Sequence, residues 1–422
     1  MHVAIPAILM TALLPAAPVL AQARGTPIVS TESEEYRDLT PLKRAIGETR
    51  IVLLGESSHG VSDYTRIKTR LIRFLHDKMG FTVIAFESPM FGCAIANRLR
   101  DHADPGLPTR ACLWAVWHSD EHVELMRMAG ERAATLSIAG VDNQPGSGDR
   151  PARRLYFASL LNPAEARRAE ALEDRFWEQR NVRYSYQERY KSFGENWRSF
   201  ADEYAALAAI LRAAATRTPP EKRVELLFGA QIASTTMRFI EATSNRDAIA
   251  SAEIRDVAMT ENLRFLADTV YPGRKIIVFA HNAHVSRANE LVDHKPGNFP
   301  GFRALGGLLA AQNVPAYRLG LFARRGEMAS NSRKIAAVTA PGPKSFEAMP
   351  VPKGAVGLFF DLAHNRRNAA ALSDVTTKEW GGDDISMNLS QQFDGVILLD
   401  TVKPPAYRGN LPLYDPATVP LP

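Results

Sequence analysis

The sequence predicts an α/β fold: a mostly parallel central sheet flanked by helices, with a helical insertion. Three observations predict it. Short β-branched apolar runs recur and stop at Gly, Glu, Asp or His. Stretches with helical apolar spacing separate most of them. One long tract rich in Ala, Arg and Glu contains no such run.

In chain order, the first strand is Ile51 to Leu54, which stops at Gly55. Thr65 to Met79 follows with Ile67, Leu71, Phe74, Leu75 and Met79 on one helical face, and Gly80 stands at the capping position. Thr82 to Phe86 reads as the next strand, parallel to the first across a right-handed crossover. Leu136 to Val141 ends at Asp142, Lys275 to Ala280 ends at His281, and Val396 to Leu399 ends at Asp400. Ala316 to Phe322 and Gly354 to Phe360 are weaker candidates. Pro163 to Ala215, with Phe176, Trp177, Tyr184, Tyr186, Tyr190, Phe193, Trp197 and Phe200, reads as helical, its aromatics serving as helix-packing core. Pro219-Pro220 closes it, and helices resume near Val224 to Ala242 and Ile249 to Ala267.

The N-terminal stretch has no Lys, Arg, Asp or Glu through Ala23. Ala4 to Leu20 is apolar and small, and Ala21-Gln22-Ala23 forms an A-x-A cleavage pattern before Arg24. This reads as a secretory signal peptide and implies a periplasmic or secreted protein. The expected organisation is a signal peptide over 1–23, an α/β catalytic domain over 27–150 and 223–422, and a helical insertion or lid over 151–222. No later stretch approaches the ~18 apolar residues of a membrane span. The formal charge of +5 is spread along the chain without a basic patch, which argues against nucleic acid as a partner. Cys93 and Cys112 form no C-x-x-C pattern. In an oxidising compartment they pair if the fold brings them together, and otherwise they are two buried thiols.

The chemistry-bearing residues converge on strand ends. Glu56 and His59 lie in Gly55-Glu56-Ser57-Ser58-His59-Gly60, directly after the first strand. Glu87 ends the second. His281 and His284 lie in Ala280-His281-Asn282-Ala283-His284-Val285 after a later one. In open parallel sheets ligands bind outside the carboxyl ends of strands, so two carboxylates and three imidazoles share one rim. Such a set suits general acid–base hydrolysis. A histidine takes a proton from water, a carboxylate on its other ring nitrogen fixes the tautomer, and a second histidine or a cation assists the carbonyl or leaving oxygen. Ser57 and Ser58 do not lie in a G-x-S-x-G nucleophile elbow and are expected to cap or pack. The same Glu56, His59, Glu87, His281 and His284 are also zinc-ligand types, although no H-E-x-x-H pattern is present. His76, His102, His118, His122 and His294 have no supporting context and read as surface residues.

Gly55 to Gly60, Lys68-x-Arg70-Leu71, Gly80-Phe81 and Phe86-Glu87 resemble the opening motifs of the erythromycin esterase family. Ala280 to Arg287 is similar to its second signature. Ile138 to Asp142, Arg255 to Asn262 and Phe393 to Val396 resemble its remaining conserved segments. The resemblance implies a carboxylic ester hydrolase that opens a macrolide lactone or similar small-molecule ester with water, without a cofactor or bound metal. It makes His59 the general base, with Glu56 and Glu87 orienting it or the water, and His281 and His284 assisting. Lys68, Asp142 and Arg255 become substrate-binding positions. Two alternatives stand beside it: a metal-dependent hydrolase on the same rim, and a periplasmic module that binds haem or a glycan.

Overall fold

The computed structural model describes residues 19–415 apart from 147, 183, 293–300, 380, 381 and 383, together with residue 418. The expected signal peptide lies outside these as far as residue 18. Val19–Gln22 forms a 3-10 turn, and Ala23 is buried beside it.

The strands, in chain order, are β1 Thr26–Ile28, β2 Ile51–Leu54, β3 Phe81–Pro89, β4 Ser137–Asp142, β5 Lys275–Phe279, β6 Tyr317–Ala329, β7 Ile335–Ala337, β8 Gly357–Asp361, β9 Val375–Lys378, β10 Asp384–Met387 and β11 Gly395–Val402. Nine of them form one sheet in the order β1-β8-β11-β6-β2-β5-β3-β4, with β7 pairing on the far part of β6. β9 and β10 form a separate hairpin. From β11 to β4 every pairing is parallel, whereas β8 and β1 add an antiparallel edge. β2 is buried at all its positions, as expected of a strand covered by helices on both faces.

β2 and β3 are parallel as the sequence implied, but they are not neighbours, because β5 inserts between them. The chain runs outward from β2 to β3 and β4, returns through β5, and then crosses to β6 on the other side. That reversal beside β2 is a topological switch point, where a crevice opens at the carboxyl ends of the strands.

The Ser62–Met79 helix buries Tyr64, Ile67, Leu71, Phe74 and Leu75, and ends at Gly80 in the left-handed region (φ 72°). The stretch expected to be an insertion contains the Arg150–Leu160, Pro163–Arg180 and Trp197–Ala215 helices with the Tyr186–Lys191 3-10 turn between the last two. Its aromatics form a core: Phe176 lies 5.7 Å from the rings of both Phe193 and Tyr204, and 6.1 Å from Phe239 of the next helix, Pro220–Ser244. Within that core the buried Glu173 accepts from Arg153 Nη2 (2.7 Å), Tyr204 Oη (2.9 Å) and Trp177 Nε1 (3.1 Å), so a charged group is fully partnered. Cys93 and Cys112 are joined by a disulfide that ties the Met90–Arg98 helix to Gly106–Cys112.

Candidate active site

The carboxyl ends of β2, β3, β4 and β5 deliver Glu56 and His59, Glu87, Asn143, and His281 to His284 to one region. There they meet a cavity of about 700 Å³. Two local features hold the first loop in place. A Cβ at Gly60 would lie 1.8 Å from Ala329 O, so only glycine permits the bridge between Gly60 and β6. Asn282 then stitches the rim: its backbone N–H donates to Glu56 O (2.8 Å) and its Nδ2 to Leu321 O (3.1 Å). Glu87 sits where the β3–β4 register shifts between Phe86 and Pro89, an irregularity of the kind that re-aims a side chain.

Glu56 is buried and accepts from His59 Nδ1 (2.7 Å) and Lys68 Nζ (2.8 Å). Burial alone would raise its pKa, but the Lys68 ammonium and the His59 hydrogen bond bring it down to about 2. An ionised carboxylate only accepts, so the His59 ring proton belongs on Nδ1 and Nε2 is left as the basic nitrogen. Lys68 is held over the Phe279 ring at 3.7 Å and also donates to Ala280 O (3.2 Å). Trp117 packs edge-on against His59 (4.9 Å between centroids).

A second charged cluster surrounds Glu87. Arg255 Nη2 donates to Glu87 Oε1 (2.8 Å) and Asp142 Oδ2 (2.7 Å), and its Nε to Asp142 Oδ1 (3.1 Å). His284 spans Asp256 at Nδ1 (2.9 Å) and Glu87 at Nε2 (3.1 Å). Burial opposes a charge on His284, but Asp256 and Glu87 overcome it and push the imidazolium up to about 10. Burial is likewise outweighed at Glu87, where His284 and Arg255 hold the carboxyl well below the usual range. With both His284 nitrogens protonated, the 3.1 Å approach of Arg255 Nη1 to Nε2 is a packing contact rather than a hydrogen bond.

His281 differs from both. Its Nδ1 accepts from Ala283 N (3.2 Å), its backbone N–H donates to Glu87 Oε2 (2.9 Å), and burial pulls its pKa down to about 3, leaving the ring neutral. Its Nε2 lies 3.5 Å from Glu379 Oε2, and its ring is 5.3 Å from that of His59. Asn143 completes the floor, with neither amide atom partnered by protein among the described residues. Trp114, Val116, Phe239, Ile385 and Met387 supply apolar wall.

Several expectations are corrected. Lys68 is fully buried beneath Glu56 and does not line the cavity, so it positions a carboxylate rather than binding substrate. Asp142 is also buried, behind Arg255, and only Arg255 of that pair reaches the cavity. His118 and His122 are buried, not on the surface. His122 is held neutral by burial with a pKa of about 3, and braces Trp117 from behind. His76 is half-buried, its Nδ1 against Phe81 O (2.7 Å), because the turn into β3 folds back over it. His294 lies outside the described residues. Ser57 Oγ shares a hydrogen bond with Tyr64 Oη (2.8 Å), and the Ser58 hydroxyl accepts from Gly60 N (3.3 Å). Among the described residues no three His, Cys, Asp or Glu side chains are grouped to hold a metal ion. No described helix is long and apolar enough to cross a membrane.

Asp256, Asn143 and Glu379 were not foreseen. Asp256 adjoins Arg255 in the Ala248–Phe265 helix, a usable clue. Glu379 follows a short polar strand with no motif around it.

The erythromycin esterase family model matches residues 76–402, beginning near the end of the Ser62–Met79 helix and leaving out the Glu56–His59 loop. YbfO of Bacillus subtilis, a protein named as a hydrolase, is 26% identical over 392 residues, 87% of each chain. A Bacillus cereus protein of known structure superposes with a TM-score of 0.74 at 19% identity, over 92% of this chain and 98% of its own. A mutant of the erythromycin esterase EreC in its open conformation superposes with a TM-score of 0.66 at 15% identity, over 92% and 98%. The chain belongs to the erythromycin esterase family of hydrolases.

Proposed function

We propose that the protein hydrolyses a carboxylic ester, a macrolide lactone or a similar compound, with a water molecule activated by His59. The observation that carries this reading is the buried chain Lys68–Glu56–His59, which ends at the cavity on the one imidazole of the three that has a carboxylate on Nδ1 and its basic nitrogen on Nε2. Water oxygen attacks the ester carbonyl as Nε2 takes its proton, and the Glu56 carboxylate stabilises the resulting imidazolium. The Arg255 guanidinium provides positive charge near the developing oxyanion, while His284, bound at both nitrogens, holds Glu87 in place. A cavity of about 700 Å³ with an apolar wall and a polar floor suits a bulky ester.

Export belongs to the same proposal. The apolar leader with Ala21-Gln22-Ala23 supports it, and cleavage there would leave β1 whole. The Cys93–Cys112 disulfide is a bond that an oxidising compartment preserves.

The test incubates purified protein with a macrolide and with simple alkyl and aryl esters, with and without chelator, and follows product by mass spectrometry. Gain of one water, unaffected by chelator and lost by about 10²–10⁴-fold in His59→Ala, is expected. Turnover retained in His59→Ala would remove the mechanism, and chelator-sensitive turnover would favour the metal alternative. No turnover of any ester would remove the substrate class.

A further inference from the structure

Five carboxyl groups among the described residues line or underlie the cavity floor, and four of them have cations. Asp142 has Arg255 and Asp256 has His284. Glu56 has Lys68, and Glu87 has Arg255 and His284. Glu379, which follows β9 in the cavity wall, has no cation paired with it among the described residues. Asn282 Nδ2 approaches its Oε1 at 3.4 Å, and His281 Nε2 lies 3.5 Å from its Oε2. The His281 tautomer is set by Ala283 N–H on Nδ1, so a neutral N–H faces the carboxyl rather than a positive charge. His281 also separates Glu379 from His59, its ring 5.3 Å from one and its Nε2 3.5 Å from the other. A base and a carboxyl with no cation among the described residues thus stand on opposite sides of one imidazole, at one cavity.

We propose that Glu379 is the general acid of the reaction, giving its proton to the alkoxide oxygen as the ester C–O bond breaks. The role rests on the ester-hydrolysis reading above. In sequence, water oxygen bonds to the carbonyl carbon while its proton passes to His59 Nε2, and the carbonyl π pair moves to oxygen. That pair then re-forms the C=O bond as the bond to the alkoxide breaks, and the alkoxide takes the Glu379 proton. The His59 imidazolium releases its proton through solvent, from which Glu379 is reprotonated.

The surroundings keep this carboxyl in its acid form. Burial pushes it up to about 8 against the Asn282 hydrogen bond, and Glu347 on the Phe346–Ala348 turn adds a smaller push in the same direction. Glu347 is itself pushed up to about 7 by burial. The other titratable or charged groups nearby are His281, Tyr64 on the Ser62–Met79 helix, and Lys378, whose charge bears on Glu347. Two carboxyls with opposed environments, Glu56 ionised beside the base and Glu379 protonated across from it, are the arrangement that divides base and acid roles at one pH.

The experiment compares two esters of one acid, an alkyl ester and a nitrophenyl ester whose leaving group departs without a proton. Glu379→Gln keeps the side chain's size, and thermal unfolding checks its fold. Expected is a 10²–10⁴-fold loss of kcat on the alkyl ester and a loss of only a few-fold on the nitrophenyl ester. Equal loss on both, or no loss on the alkyl ester, overturns the role. If the variant does not fold, the wild-type pH profiles decide. Alkyl ester turnover should fall as pH rises through about 8, where Glu379 loses its proton, with nitrophenyl turnover unaffected in that range. Superimposable profiles overturn the role. A wild-type protein inactive on both esters instead removes the ester reading, and this role with it.

Discussion

Lys68 illustrates how far a residue's type is from its task. A lysine on the helix behind a catalytic loop suggests a substrate contact, yet its ammonium is buried against Glu56, Ala280 O and the Phe279 ring. Removing it leaves an ionised carboxylate without its cation in a buried site. Lys68→Met should therefore lower stability by about 3–5 kcal/mol, the usual consequence of breaking a buried pair from one side, read as the shift in urea midpoint. The sign for activity follows from the pKa of Glu56. Held down to about 2, it stays ionised throughout the neutral and mildly acidic range. Without Lys68 burial dominates and its pKa rises, so the acid limb of kcat/KM should move to higher pH in Lys68→Met. An unmoved limb would show that Lys68 only packs. The motif residues Glu56, His59, Glu87, His281 and His284 were legible because each adjoins the end of a predicted strand. Their different charge states were not. Those depend on burial and on Asp256 and Arg255, which lie far in sequence from the His284 and Glu87 they act on.

At the scale of elements, the parallel strands were readable where β-branched apolar runs are buried on both faces, as in β2, β5 and β11. The edges were not. β7 is exposed at every position, β9 and β10 are short and polar, and the Gly354 to Phe360 run carries no sign that β8 is antiparallel. Nor does any local pattern tell that β5 slides between β2 and β3, since that order depends on long-range packing. The cysteines, left open by the sequence, show what an element-level tie does here. The disulfide joins two helices just before Trp114 and Val116, which line the cavity, and Trp117, which packs on His59. The Cys93→Ser/Cys112→Ser double variant should lose about 2–4 kcal/mol of stability. Because the wall segment loosens, KM should rise more than kcat falls. A lower unfolding midpoint with unchanged KM would confine the disulfide to a stabilising role.

Over the whole molecule, the buried titratable groups set opposing slopes of stability against pH. Glu56 is lowered, so its contribution is present above the ordinary carboxylate range and is lost as pH falls through about 2. His122 and His281, both lowered to about 3 by burial, favour the folded state above the ordinary histidine range and weaken it as pH falls below that. Asp149, Glu347 and Glu379 act in the other direction. Raised by burial to about 7, about 7 and about 8, they favour folding below the ordinary carboxylate range, an advantage lost as pH rises through those values. His284, raised to about 10, also favours folding at low pH and loses its contribution as pH rises from the ordinary histidine value through about 10. Between roughly pH 4.5 and 6.5, the ordinary values of Glu and His, the slopes of the lowered histidines and raised carboxyls oppose one another. Above that window Glu56, His122 and His281 add no further slope, while the raised carboxyls and His284 lose their contributions as pH rises. The thermal unfolding midpoint should thus be highest in mildly acidic buffer and decline steadily from about pH 6.5 to 9. Glu379→Gln and Glu347→Gln, which keep a neutral group in place at all pH values, should flatten that decline. A midpoint constant or rising across this range in the wild-type protein, or an identical decline in both variants, would mean that these carboxyls are solvated and charged in the folded molecule, and the general acid proposed at Glu379 would lose its physical basis.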